Sequence, residues 1–387
     1  MAHSVTLSRG AADAVRRGHP WVYREQLGKF TGSPKTGDEV SIVDAGEVIA
    51  RALYDANSAL ALRVWTRNTP IAASLFETRV ARALSKRDAL FDERTTAYRW
   101  IHGEGDRLPG VVVDRYANVA VLRLDGEAIT ARLDEIVAAL WPAARSRGVR
   151  SLLLRRTEKT DTEKTTRLEG DEVSAECIVR ERGVAFVVDV LRGQKTGAFL
   201  DQRDNRARVG ALARGKSVLN LFSYAGGFSL HAALGGATRV TSVDIATNAH
   251  ATAQASFRVA GVDPAKHAFV TSDAYVFLDS AKRRNERWDL VVSDPPSFAP
   301  SEKAVPRALA AYRKLHRACV DVLAEGGTFC ASSCSSHMGA SRFLQTLDDA
   351  SLGRDDLSLS ALYGHPDDHP TLPAWPEGAY LKFAVLR

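Results

Sequence analysis

The sequence predicts an α/β protein with a doubly wound, mostly parallel C-terminal sheet, preceded by a small β-rich module and a central α+β segment. Three observations carry this expectation. From about residue 190 onward, short apolar runs alternate with amphipathic stretches, as in a parallel sheet with helices on both faces. Before residue 68, short β-type runs are separated by glycines and Asp/Asn turns. Residues 69–189 mix the two patterns, so the expected domains are 1–68, 69–189 and 190–387.

In the first part, strands are expected at 4–7, 39–43, 47–50 and 59–65, with a short helix at 11–17. In the second, helices are expected at 72–91 and 129–140, with strands at 98–102, 110–114, 119–124, 151–154 and 184–190. The run Thr157-Glu-Lys-Thr-Asp-Thr-Glu-Lys-Thr-Thr166 is charged and aperiodic, which predicts a mobile surface loop. In the third part, strands are expected at 217–222, 240–243, 268–271, 290–293 and 328–332, with 357–362 and 379–386 closing one edge antiparallel. A helix over 307–325 carries Leu309, Tyr312, Leu315, Cys319, Val322 and Leu323 on one stripe, which places Cys319 in the core. Gly326-Gly327 is expected to stop it.

Composition narrows the class. With 45% hydrophobic and 25% charged residues, the chain reads as a soluble globular protein. No apolar run approaches the roughly 20 residues of a membrane span. The N-terminus has no secretion-signal pattern, so a cytoplasmic protein with no membrane partner is expected. The four cysteines include no Cys-x-x-Cys pair, which argues against disulfides and against a metal site. Cys177, Cys319 and Cys330 read as core residues. The net charge of +6 is compatible with a polyanionic partner.

In open α/β sheets, ligands bind beyond the carboxyl ends of the strands. Here one apolar run leads into Phe222-Ser223-Tyr-Ala-Gly226-Gly227, a second ends at Asp244, a third at Ser272-Asp273-Ala274 and a fourth at Asp294-Pro-Pro-Ser-Phe298. The Gly-rich turn lacks the Gly-x-Gly-x-x-Gly dinucleotide fingerprint, and there is no triphosphate P-loop. An adenosine ligand without phosphates, such as S-adenosylmethionine, fits better. Ser223 and Gly226 would contact it through the backbone, Asp244 would take the ribose hydroxyls and Asp273 the adenine amine. A fifth strand end carries Ser332-Ser-Cys334-Ser335. A lone cysteine is more often a small buried hydrophobe, but a Cys and an Asp at neighbouring strand ends suggest chemistry on a base.

These segments also support a family resemblance. Residues 190–387 look like a class I S-adenosylmethionine-dependent methyltransferase with a Rossmann-like seven-stranded sheet. The whole chain resembles the bacterial 23S rRNA cytosine-5 methyltransferases that carry an N-terminal PUA domain. The matching segments are Arg16-Arg-Gly-His-Pro-Trp-Val22 and Leu108-Pro-Gly-Val-Val-Val-Asp-Arg115, then 193–206 around Leu200-Asp-Gln-Arg203, 220–228, Asp294-Pro-Pro-Ser-Phe298, 332–335 and Pro376-Glu-Gly-Ala-Tyr-Leu-Lys382. Where the family pattern often has Lys after Asp-Pro-Pro, this chain has Ser297.

The resemblance implies a cysteine nucleophile. A Cys334 thiolate would add to cytosine C6 and make C5 able to take a methyl group, while Asp294 bonds the N4 amine and N3. No residue is assigned as base for the C5 proton, and His337 reads as a solvated loop residue. The resemblance also implies that Asp201, Gln202 and Arg203 fold over the cofactor, joined in that pocket by Phe222, Ala274 and Asp294. It implies binding of structured RNA, 23S rRNA in particular, with Arg16, Arg17, His19 and Trp21 as contacts; Trp21 in the core is the alternative. A homodimer stays open. Rival functions are a guanine-N7 methyltransferase, a DNA or protein N-methyltransferase, and a non-catalytic RNA-binding assembly factor.

Overall fold

In the computed structural model, the described residues are 3–157 and 163–387. Strand β1 (His3–Leu7) and helix α1 (Arg9–Arg17) lead into β2 (Trp21–Tyr23), β3 (Leu27–Thr31), β4 (Glu39–Asp44), β5 (Glu47–Tyr54) and β6 (Leu60–Thr66). These strands form one six-stranded sheet in the order β2-β6-β5-β4-β1-β3. The sequence reading missed β2 and β3. The first has only three residues and the second contains Gly28, so neither shows a long period-two pattern.

Helix α2 (Ala73–Asp88) buries Phe76, Val80, Ala83, Leu84 and Arg87 along one stripe. Strands β7 (Ala97–His102), β8 (Val111–Tyr116) and β9 (Val119–Leu124) follow. The helix expected over 129–140 is two helices, α3 (Glu127–Thr130) and α4 (Leu133–Arg145), because the Asp55 carboxylate accepts from Glu127 N at 3.0 Å and starts the turn early. Strands β10 (Ser151–Thr157) and β11 (Glu163–Gly170) complete a five-stranded sheet, β11-β10-β9-β8-β7. Residues 163–166, expected in a mobile loop, therefore lie in a strand paired antiparallel to β10, while 158–162 lie outside the described residues.

Contacts divide the chain into two units, one of 1–177, 190–197 and 367–378, the other of 178–189, 198–366 and 379–387. The division differs from the three parts read in the sequence. Leu53 of β5 and Trp65 of β6 share one apolar cluster with Phe76, Trp100 and Leu140, so the β-rich module and the central segment have a common core. Arg87 closes that unit, donating to the Asp106 carboxylate at 2.8 and 2.7 Å and to the Asp368 carbonyl at 2.8 Å.

The second unit begins within β12 (Glu176–Glu181), which forms a hairpin with β13 (Val184–Asp189). Cys177 on β12 is half-buried rather than core: it shares the inward face with the buried Val179 and Glu181, but lies nearer the start of the strand. Next come α5 (Arg203–Leu212), β14 (Ser217–Leu221), α6 (Gly227–Leu234), β15 (Arg239–Asp244), α7 (Thr247–Val259), β16 (Ala268–Thr271), α8 (Ala274–Arg283), β17 (Trp288–Ser293), α9 (Val305–Asp321), β18 (Leu323–Ser333), α10 (Ala340–Ser351), β19 (Leu359–Tyr363) and β20 (Lys382–Leu386). The seven-stranded sheet has the order β16-β15-β14-β17-β18-β20-β19, with β20 antiparallel to both neighbours, as expected. Helix α9 ends at Asp321, before Gly326-Gly327, because Leu323 already pairs with Trp288. Gly326, at φ +64°, instead absorbs the irregularity between Leu323 and Thr328. No described helix is long and apolar enough to cross a membrane.

Candidate functional site

Strand register brings the singled-out residues of the second unit to one edge. Strand β14 lies between β15 and β17, so strand order reverses there, at the place where such sheets bind ligands. Leu221 is level with Val243 on one side and Ser293 on the other, and Ser293 is level with Ala331. Phe222, Asp244, Asp294 and Cys334 therefore leave the sheet at the same edge.

The loop after β14 is held in an unusual backbone conformation. Phe222 and Tyr224 adopt φ of 55° and 45°, the left-handed region that side chains disfavour. The Asp244 carboxylate holds the loop there, accepting from Tyr224 N at 2.7 Å and from Ala246 N at 2.8 Å. Gly226, at φ +73°, precedes α6, and a Cβ there would lie 2.7 Å from Ala253 Cβ. The glycine is thus demanded by the packing of α7 against the loop. Ser223 Oγ is buried and has no hydrogen-bond partner among the described residues. Such an atom calls for a polar group from outside the chain. Beside Asp244, Ile245 is apolar yet 74% exposed, a ready face for a flat ring. An orphan hydroxyl, an oriented carboxylate and an exposed apolar face fit a nucleoside cofactor. Asp273 and Ala274 fit it less directly: Asp273 Oδ1 caps α8 by accepting from Tyr275 N and Val276 N, and the Ala274 side chain joins the core.

The other half of the edge is built on β17, β18 and β20. Gln202 sits buried between strand ends, its Nε2 donating to Asp294 Oδ1 at 2.9 Å and to Ser332 Oγ at 2.8 Å, while Oε1 accepts from Asn205 at 2.7 Å. It aims the Asp294 carboxylate. Asp201 accepts from Tyr380 OH at 2.9 Å, and the buried Arg203 side chain lies 3.6 Å from the Asp204 carboxylate. Helix α5, which begins at Arg203, is anchored by the buried pair of Arg206 with Glu181; burial opposes charge on Glu181, but Arg206 prevails and holds its carboxyl down to about 2.

Cys334 is half-buried, just beyond the end of β18. Burial pushes the thiols of Cys319 and Cys330 up to about 12, which leaves both as core groups and unfit as nucleophiles. The loops carrying Asp294 and Cys334 are tied together by a Ser297–Ser335 hydroxyl bond of 2.9 Å, the place where the family pattern often has Lys. His337 faces Glu302 at 3.6 Å. Two further groups were missed in the sequence. Tyr312 donates to Ser333 Oγ at 2.9 Å, and its phenol is raised by burial, with Cys334 and Asp294 adding to the shift. Lys382 Nζ donates to the carbonyls of Ser335 at 2.6 Å and Tyr380 at 2.7 Å. The signal for Lys382 was a lone lysine opening the apolar run Phe383-Ala-Val-Leu386.

A family profile described as S-adenosylmethionine-dependent methyltransferase matches residues 91–374. The chain belongs to that family. A PUA-like domain profile matches residues 5–67 of the methyltransferase. It is 34% identical to a "Ribosomal RNA large subunit methyltransferase I" of Aliivibrio fischeri and 35% identical to a protein of the same name from Pseudoalteromonas translucida, each match covering 100% of both chains. Among solved structures, a putative methyltransferase from Streptococcus mutans matches at a TM-score of 0.87 and 26% identity over 100% of both chains. A putative methyltransferase complexed with SAH matches at 0.88 and 25%, again over 100% of both chains. The family's cofactor, S-adenosylmethionine, agrees with the fit of the β14–β15 edge.

In the first unit, a pocket of about 660 Å³ is lined by Arg17, Arg67, Arg79, Arg82 and Arg107, with Trp65 and Thr66 on its wall. Among the described residues none of these arginines pairs with a carboxylate; Arg79 instead donates to the carbonyls of Trp65, at 2.8 Å, and of Arg107. Burial first, then Arg82 and Arg107, push the Arg79 guanidinium down to about 10, and Arg107 is lowered by burial, Arg82 and Arg67. Of the four residues expected to contact RNA, Arg17 lines this pocket. Arg16 pairs with Asp44 at 2.9 Å. His19 lies 3.3 Å from Glu377, and Trp21 donates to Glu104 at 2.7 Å and packs edge-on against Trp375, so both are held in an internal network.

Proposed function

We propose that this methyltransferase forms 5-methylcytosine in large-subunit ribosomal RNA through a covalent bond between Cys334 Sγ and cytosine C6. The observation that carries the reading is Cys334 at a strand end beside Asp294, in loops joined by Ser297 and Ser335. Bound S-adenosylmethionine would supply an electrophilic methyl group; Ser223, Asp244 and Ile245 would hold it, with Phe222 and Gly226 shaping the loop. The Cys334 thiolate adds to C6 and leaves C5 electron-rich. Asp294, protonated and aimed by Gln202, donates to N3 and accepts from the N4 amine, drawing charge from the ring. Loss of the C5 proton to solvent then expels the Cys334 thiolate and restores the aromatic ring, and N3 returns its proton to Asp294. A guanine-N7 enzyme would have no use for the thiol.

Ribosomal RNA as the substrate is supported by the names of the full-length relatives and by the arginine pocket. A strain lacking the gene is expected to lose one 5-methylcytosine in 23S rRNA, regained on complementation, and an unchanged 23S methylcytosine map rejects the substrate assignment. The pocket arginines would bind phosphates, and each lost contact lowers the salt slope of binding by roughly 0.9 on a duplex. The double variant Arg17→Ala/Arg82→Ala should therefore bind rRNA more weakly with a salt slope shallower by about 1–2, at unchanged cofactor affinity. Equal slopes for variant and wild type would remove the pocket from the RNA contact surface.

A further inference from the structure

Lys382 lies in an unusual setting for a lysine. It is 5% exposed, and its cross-strand neighbour is Ser333, next to Cys334 in the chain. Two of its three N–H groups go to the carbonyls of Ser335 and Tyr380, and among the described residues it forms no ion pair with a carboxylate. A buried ammonium without an anion is costly, and two peptide carbonyls compensate only part of the lost hydration. Electrostatically, Cys334 acts on Lys382 in the direction that favours the ammonium.

We propose that Lys382 is the positioning residue that makes Cys334 a thiolate: the thiol proton leaves to solvent, and the ammonium, keeping its three protons, is the counter-ion of the sulfur. The inference rests on Cys334 as nucleophile and deepens that reading. The groups around the thiol differ in sign. Asp294, from the end of β17, disfavours the thiolate when it is ionised, and Tyr312, from α9, carries a phenol raised by burial. His337, on the thiol's own loop, is turned to Glu302. Lys382, from β20, is the cation among these groups whose ammonium meets only carbonyls. Burial pushes it down to about 8, so the pair weakens as the pH rises through that value. Below it, the ammonium is charged and lowers the thiol from its usual value of about 8.5.

The test is the pH dependence of Cys334 alkylation by iodoacetamide on the full chain without RNA, read on the Cys334 peptide so that Cys177 does not contribute. The wild-type midpoint is expected below about 8.5. In K382M it should rise by a unit or more, which slows alkylation at pH 7 about tenfold, and K382R should keep the wild-type midpoint. Identical midpoints in wild type and K382M, both binding S-adenosylmethionine, overturn the proposal. If K382M does not fold, the reciprocal titration decides: the Lys382 Cε resonance should titrate at lower pH in C334S than in wild type, and identical curves reject the pair. Because no RNA is present, the readout is separate from methyl transfer. A C334A enzyme that still methylates cytosine would sink the nucleophile and leave the measured thiol midpoint standing.

Discussion

Cys334→Ala is expected to abolish cytosine methylation, by a factor on the order of 10⁴ or more, while S-adenosylmethionine binds as before. The expected size follows from the chemistry. Without addition at C6, C5 of cytosine is a poor nucleophile; Cys319 and Cys330 are buried with thiols pushed up to about 12, and Cys177 lies on the β12–β13 hairpin, outside the seven-stranded sheet. The unchanged affinity follows from the geometry, because the orphan hydroxyl of Ser223 lies in the loop after β14 and the oriented Asp244 ends β15, neither being on β18. Single-turnover methyl transfer to rRNA with calorimetric titration of the cofactor separates the two quantities. Activity within tenfold of wild type would exclude a Cys334 adduct.

Asp294→Asn should lower the rate of methyl transfer about 10²–10⁴-fold, the usual range for a lost proton donor. The amide retains an oxygen for Gln202 Nε2, so the loop geometry at Ser297 and Ser335 is preserved. What it lacks is a titratable proton for cytosine N3. The loss should therefore appear in kcat, with RNA affinity little changed. An Asp294→Asn enzyme that fails only in RNA binding would make Asp294 a substrate-binding group and not an acid.

Much of the edge was legible because buried parallel strands are short apolar runs that end abruptly. Val240-Thr-Ser-Val243 followed by Asp244, and Leu290-Val-Val-Ser293 followed by Asp294, mark where a chain leaves the sheet. The same logic failed at Gly326-Gly327, because a glycine pair resembles a helix stop whether it ends a helix or bulges a strand. It failed at β11, where Glu163-Lys-Thr-Thr166 pairs through its backbone despite a loop-like composition. Asp273 was read as an adenine ligand, yet a carboxylate at that place also caps the following helix, and Oδ1 does so.

The arginine pocket had no local signal. Its residues come from α1, the end of β6, α2 and the turn after β7, at positions 17, 67, 79, 82 and 107, and each alone reads as a solvated arginine. Gln202 was assigned to the cofactor, but its amide is spent between Asp294 and Ser332, a partnership across two strand ends.

The sequence by itself determined the α/β class, the strands that carry Asp244, Asp294 and Cys334, and the pair of strands closing the far edge. Those properties are local: they depend on apolar periodicity and on the residue types at strand ends. Only the tertiary structure decided which side chains meet. The order β14-β17-β18-β20 puts Lys382 opposite Ser333 and Gln202 between Asp294 and Ser332. Such partnerships depend on sheet order, where a few ångströms separate residues far apart in the chain, and no sequence period encodes them.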